Sequence, residues 1–161
     1  MEWANVALLA VVLLWWLPAQ RGLDQPQDTW LRLLAYLPVA ALLLVGGWYW
    51  HRKLHQLRDG RPMESAMRVL DVLDRVLLRT LLVCSALIVA AWVVWAGTTT
   101  DRVWATGFVL FSWAEFVNYF RVQLMHDTRS DLKRLVATRR LRASWLAADL
   151  AEYRQVRRQA R

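Results

Sequence analysis

The sequence predicts an all-α polytopic membrane protein: a four-helix transmembrane bundle with cytoplasmic helical extensions. Three observations carry that reading. The 161-residue chain is 57% hydrophobic and holds 11 tryptophans, with mean hydropathy +0.21. A soluble domain of that composition would expose too much apolar surface, and a disordered chain would carry far less of it. Several apolar runs approach or exceed the roughly 17–25 residues that cross a hydrocarbon core. The charge is +8, and it is concentrated in the connections between those runs. A basic soluble nucleic-acid binder would not carry such runs, and no nucleic-acid-binding module accompanies the charges.

Four runs qualify as spans, at about 3–17, 30–50, 76–97 and 103–120. The first is short. It could be a secretory signal, but it opens Met1-Glu2-Trp3 without a basic residue, and no small-x-small cleavage site follows. The expectation is a retained helix. In the second, Pro38 beside Ala40 and Ala41 suggests a kink with close packing, and Gly46 and Gly47 allow backbone approach. In the third, Ala86 and Ala90 form a small-xxx-small pair. Cys84, the one cysteine, lies in the same run and reads as packing, since no disulfide or CxxC motif is possible.

Orientation follows from Lys/Arg asymmetry. Residues 51–75 carry six basic residues and residues 121–161 carry 11, out of 21 in the chain. The opposite connections carry Arg21 and Arg102. The expected localisation is therefore the inner (plasma) membrane, multi-pass, with both termini cytoplasmic. Tryptophans agree with two interfacial belts. Trp15, Trp16, Trp30, Trp92, Trp95 and Trp104 fall at outer span ends, and Trp3, Trp48 and Trp50 at inner ends. Trp113 and Trp145 fall outside the belts.

The outer links are short, with Thr100 or Asp101 suited to cap the last span. The inner connection is more organised. His51 to Arg58 stays helix-compatible, and Asp59-Gly60-Arg61-Pro62 breaks it. A second helical run starts near Met63, with Met63, Met67, Leu70, Leu73 and Leu77 on one stripe and Asp71–Arg75 an i,i+4 pair. A hairpin near 51–75 should therefore project beyond the bilayer. The expected organisation is a span bundle with this hairpin over 1–126 and a basic amphipathic tail over 127–161. In the tail, Leu132, Leu135 and Val136 form one stripe. Trp145, Leu146, Leu150 and Tyr153 form another, opened by Ser144 as cap. Arg139, Arg140, Arg142, Arg154, Arg157 and Arg158 are the expected contacts to anionic headgroups.

Polar residues inside a bilayer are the best pointers to function, because they are costly there. Ser112, Glu115, Asn118 and Tyr119 share a face of the last span, at i, i+3, i+6 and i+7. Glu115 lies about 9 Å inside the inner boundary, at 1.5 Å per residue. Arg79 sits at a similar depth in the third span and could pair with it. The plain reading is glue between helices. The functional reading is a protonatable carboxylate. His51, His55 and His126, with Asp127, Asp71 and Asp74 nearby, are possible ligands of a divalent metal. Headgroup contact or solvation is the plainer use of these histidines.

No phosphate loop, GxSxG, HExxH or paired-cysteine motif is present. A small four-span multidrug exporter would carry its key carboxylate in span one, which has none. The sequence therefore predicts a protein without catalytic activity and without a cofactor, acting as an accessory, scaffold or sensor subunit. Its expected partners are the bilayer and another membrane protein or copies of itself. A homo-oligomeric channel or cation-linked carrier using Glu115 is the first alternative. A metal- or lipid-dependent membrane enzyme is the second.

Overall fold

The computed structural model describes residues 26–94, 99–124 and 141–160. Among them the chain forms four helices: α1 (Pro26–Asp59), α2 (Glu64–Val94), α3 (Thr99–Phe120) and α4 (Trp145–Gln159). An isolated antiparallel bridge, Val122 with Ala143, joins the segments flanking the 125–140 region. The expected first span, the stripe at Leu132, Leu135 and Val136, and Trp3, Trp15, Trp16 and Trp95 lie outside the described residues.

Two of these helices are long and apolar enough to cross a membrane, over Leu33–Asp59 and Glu64–Val94. The 34 residues of α1 and the 31 of α2 extend to about 51 and 46 Å at 1.5 Å per residue, against roughly 30 Å for a hydrocarbon core. Each helix is therefore longer than one span requires. The break falls at the expected Asp59-Gly60-Arg61-Pro62 segment. Gly60 takes φ 67°, a left-handed conformation that L side chains rarely adopt. Its amide still donates to the Gln56 carbonyl at 3.0 Å, closing the last turn of α1. Glu64 in the first turn of α2 suits the positive end of that helix.

Packing follows the stripes. On α2, Met67, Leu70, Leu77, Leu81, Cys84 and Ile88 are buried, with Met63 just before its start. Leu82, Val83, Leu87, Val89 and Val93 are exposed on the other side, together with Ala86 and Ala90. The small-xxx-small pair is thus on the outer face of the chain. Leu31, Ala35, Cys84, Ile88, Ala91, Ala105 and Val109 form the core far from the hairpin. A second core, nearer the hairpin, gathers Leu42, Tyr49, Met67, Leu70, Leu81, Phe116 and Phe120, and it takes in Leu146 and Leu150 from α4. The terminal helix is therefore part of the packed body.

Pro38 does not end α1, which runs through it. Lacking an N–H, it leaves the Leu34 carbonyl without its helical donor. The Cys84 thiol of α2 donates to that oxygen at 3.7 Å. Gly46 lies against α3 so closely that a Cβ there would overlap the Tyr119 ring. Trp113 donates its indole N–H to Ser85 Oγ at 2.9 Å, joining α3 to α2. Of the expected belt, Trp30, Trp48, Trp92 and Trp104 are exposed, and Trp92 donates to Thr106 Oγ1 at 3.0 Å.

Candidate functional site

The densest polar chemistry sits where α4 crosses the base of the hairpin. Its construction begins at Ser144. The Ser144 hydroxyl accepts from the Ala147 amide at 3.0 Å, capping α4, and donates to the Tyr119 carbonyl at the end of α3. The Gln123 amide donates to Arg142 O at 2.8 Å, and the Ser144 amide to Arg121 O at 3.2 Å. These bonds aim α4 back across the bundle. Leu146 and Leu150, one turn apart, then enter the core at 1% exposure each.

Charged residues lock the two flanks. On the α1 side, Asp149 Oδ2 accepts from Tyr49 Oη at 2.9 Å and from Lys53 Nζ at 2.7 Å. On the α2 side, Arg154 donates from Nε to Asp71 Oδ1 at 2.6 Å and from Nη2 to Asp74 Oδ2 at 2.8 Å. Asp71 also receives Arg75 Nη2 at 2.9 Å. Arg121 Nη1 lies 3.0 Å from Asp74 Oδ1, a charge contact without hydrogen-bond alignment. Asp71 and Asp74, at i and i+3, are both buried. Two buried carboxylates are tolerable only when paired, and three guanidiniums meet them here. The hydrogen bond from Arg154 to Asp74, with the further bond and charge of Asp71, raises the Arg154 pKa above its ordinary value.

The residues singled out from the sequence are distributed as follows. Ser112 is fully buried and donates to Phe108 O of its own helix at 2.8 Å. Tyr119 is buried against Gly46. Asn118 is half-buried, and its Oδ1 accepts from the Leu124 amide at 2.9 Å, capping the end of α3. Glu115 is half-buried and Arg79 exposed, and among the described residues no ion pair joins them. Leu77, Leu81 and Cys84 take the inward face of α2, which turns Arg79 outward. His51 and His55 stack edge to face, with ring centroids 4.7 Å apart. His55 Nδ1 lies 2.8 Å from Asp59 Oδ2. His126 lies outside the described residues, among which no three His, Cys, Asp or Glu side chains converge as for a metal.

Arg139 and Arg140 lie outside the described residues. Arg142 lies over the Trp145 ring at 4.9 Å. Arg154, expected to face headgroups, is committed to Asp71 and Asp74. Arg157 and Arg158 are exposed. They line an open cleft of about 180 Å³ with Asp71, Tyr153 and Arg154. The clamp itself escaped the sequence reading, which paired Asp71 locally with Arg75. Its trace was present: two aspartates beside the Met67–Leu70 stripe, and an arginine one turn after Leu150.

Comparison with known protein families, curated proteins and solved structures returned no match.

Proposed function

We propose that this chain is a small inner-membrane protein of four spans, a non-catalytic accessory or scaffold subunit that presents a rigid cytoplasmic block to a partner. The span bundle, both termini inside and the assembly with a partner are parts of that reading. One observation supports it above the others: α4 is held across the hairpin by a buried two-leucine anchor and by charge clamps on both flanks. A tail used only to set topology needs no such fixing. Interfaces are built on rigid elements, and the block turns Arg58, Arg61, Arg157 and Arg158 outward.

A channel or carrier through Glu115 draws less support. Ser112 and Asn118, its companions on the seam, are spent on backbone groups of α3 and the segment after it.

The test is the mass of the tagged complex, extracted gently at native expression. A complex containing another protein, lost on Leu150→Ala with Arg154→Ala and kept on Glu115→Gln, supports the proposal. A mass equal to whole multiples of 18.8 kDa overturns the hetero-complex. Flux lost on Glu115→Gln with unchanged assembly transfers the function to transport.

A further inference from the structure

We propose that the cleft beside the α4 clamp binds a phosphate group, carried by an anionic phospholipid. The argument starts from charge. Asp71 forms one wall, but Arg75 and Arg154 already neutralise it. Arg157 and Arg158 add two further guanidiniums that have no carboxylate partner among the described residues. Arg154, Arg157 and Arg158 stand at i, i+3 and i+4, so they share one face of α4. The surplus charge of Arg157 and Arg158 thus lies on the same side of the helix as the clamped Arg154. It stands at the helix C-terminal end, where cations are already favoured.

The wall chemistry fits an oxyanion. Guanidiniums present paired N–H donors that match phosphate oxygens. Tyr153 adds a hydroxyl, and its ring packs on the hairpin core. Arg154 is held by its two aspartates, so the cleft keeps its shape without a ligand. A preformed site loses less freedom on binding.

The neighbouring surface points to a lipid as the carrier. Val69, Val72 and Val76 are each about half exposed and share one outer face of α2, the helix that supplies Asp71 to the cleft. A basic cleft against a helix that also exposes an apolar strip suits a molecule with a phosphate and a hydrocarbon tail. This inference rests on the membrane placement proposed above, and it is independent of any protein partner. Capture of a partner and retention of a lipid are separate measurements, so either can fail alone.

The experiment uses the full chain in phosphatidylcholine vesicles containing phosphatidic acid, followed by native mass spectrometry of the released protein. A single retained phosphatidic acid is expected. Arg157→Gln with Arg158→Gln should weaken retention about thirtyfold, the effect of two basic residues near an anionic surface. Both positions are exposed, so the fold is kept. Arg58→Gln with Arg61→Gln removes the same charge elsewhere and should leave retention unchanged. Equal losses in the two double variants, or no loss in the first, overturn the site. Inorganic phosphate is titrated separately onto lipid-free protein in detergent. Binding there with the same variant dependence, and no retained lipid, keeps the phosphate site and overturns the lipid as its carrier.

Discussion

Arg154 and Asp74 stand 80 positions apart in the chain, and their side chains meet at 2.8 Å. The same guanidinium reaches Asp71 at 2.6 Å. One residue of the terminal helix thus serves two buried carboxylates of α2.

Arg154→Gln should therefore loosen α4. It removes charge-assisted hydrogen bonds worth about 1.5–3 kcal/mol each when buried. The Arg154 side chain is 38% exposed, which screens the interaction. Arg121 and Arg75 also remain on the aspartates. The expected net cost is about 1–3 kcal/mol, read from thermal unfolding in detergent and from faster proteolysis of α4. Arg154→Lys should recover only part, because an ammonium cannot reproduce the fork. The pH dependence has a definite sign. A cation whose folded pKa is raised contributes fully below its unfolded value and loses that contribution only above it. For arginine that value lies well above the physiological range, and the bonds to Asp74 and Asp71 raise it further. The stability difference between the wild type and Arg154→Gln should therefore stay flat from about pH 7 to pH 10. A difference that falls across that window would show that another group carries it.

The opposite flank offers a cleaner coupling measurement. Lys53 and Asp149 side chains are 12% and 19% exposed and 2.7 Å apart. Asp149→Asn keeps an acceptor for Tyr49 but leaves the ammonium without its anion, at about 2 kcal/mol. Lys53→Met alone leaves the carboxylate with Tyr49 only. The double variant should cost less than the two singles together, with a coupling of about 1–2 kcal/mol. Additive costs would mean that the pair does not hold α4.

How far the sequence could be read depended on the range of the interaction. The Asp59–Pro62 break, the Met63–Leu77 stripe and the Ser144 cap are local, and each stands where spacing and turn chemistry put it. Arg79 and Glu115 lie at similar depth on spans joined by a tight turn, and that is all the sequence says of their pairing. Depth along a helix carries no information about azimuth, and the inward face of α2 belongs to Leu77, Leu81 and Cys84. The arginines of α4 looked alike in sequence. Burial of Leu146 and Leu150 separates them, sending Arg154 to Asp71 and Asp74 while Arg157 and Arg158 stay exposed. No local pattern states which of three similar cations a distant carboxylate selects.

The contact of Gly46 with Tyr119 should be unforgiving. Gly46→Ala places a methyl group inside the volume of the ring. Overpacking of this kind costs about 1–3 kcal/mol, and alanine otherwise favours a helix interior over glycine by up to about 1 kcal/mol. The net result should still be destabilising. Gly46→Ala with Tyr119→Leu should regain part of the loss, because a shorter side chain leaves room for the methyl. A Gly46→Ala variant as stable as the wild type would show that α1 and α3 can separate at no cost.

Pro38 and Cys84 make the sharpest pair to test, because one residue creates the need that the other meets. Proline removes the donor that the Leu34 carbonyl would receive in an unbroken helix. The Cys84 thiol reaches that oxygen from α2. In an apolar setting an unsatisfied carbonyl is costly. Cys84→Ala should therefore destabilise through two contributions, a lost hydrogen bond and a small loss of packing. Pro38→Ala restores the helical donor and makes the thiol redundant. Repeating Cys84→Ala in the Pro38→Ala background leaves the packing contribution nearly unchanged and removes the hydrogen-bond contribution. The cost of Cys84→Ala should fall by about 0.5–1 kcal/mol between the two backgrounds. Equal costs in both would show that Cys84 acts by packing alone, and that the proline-freed carbonyl is satisfied by another group.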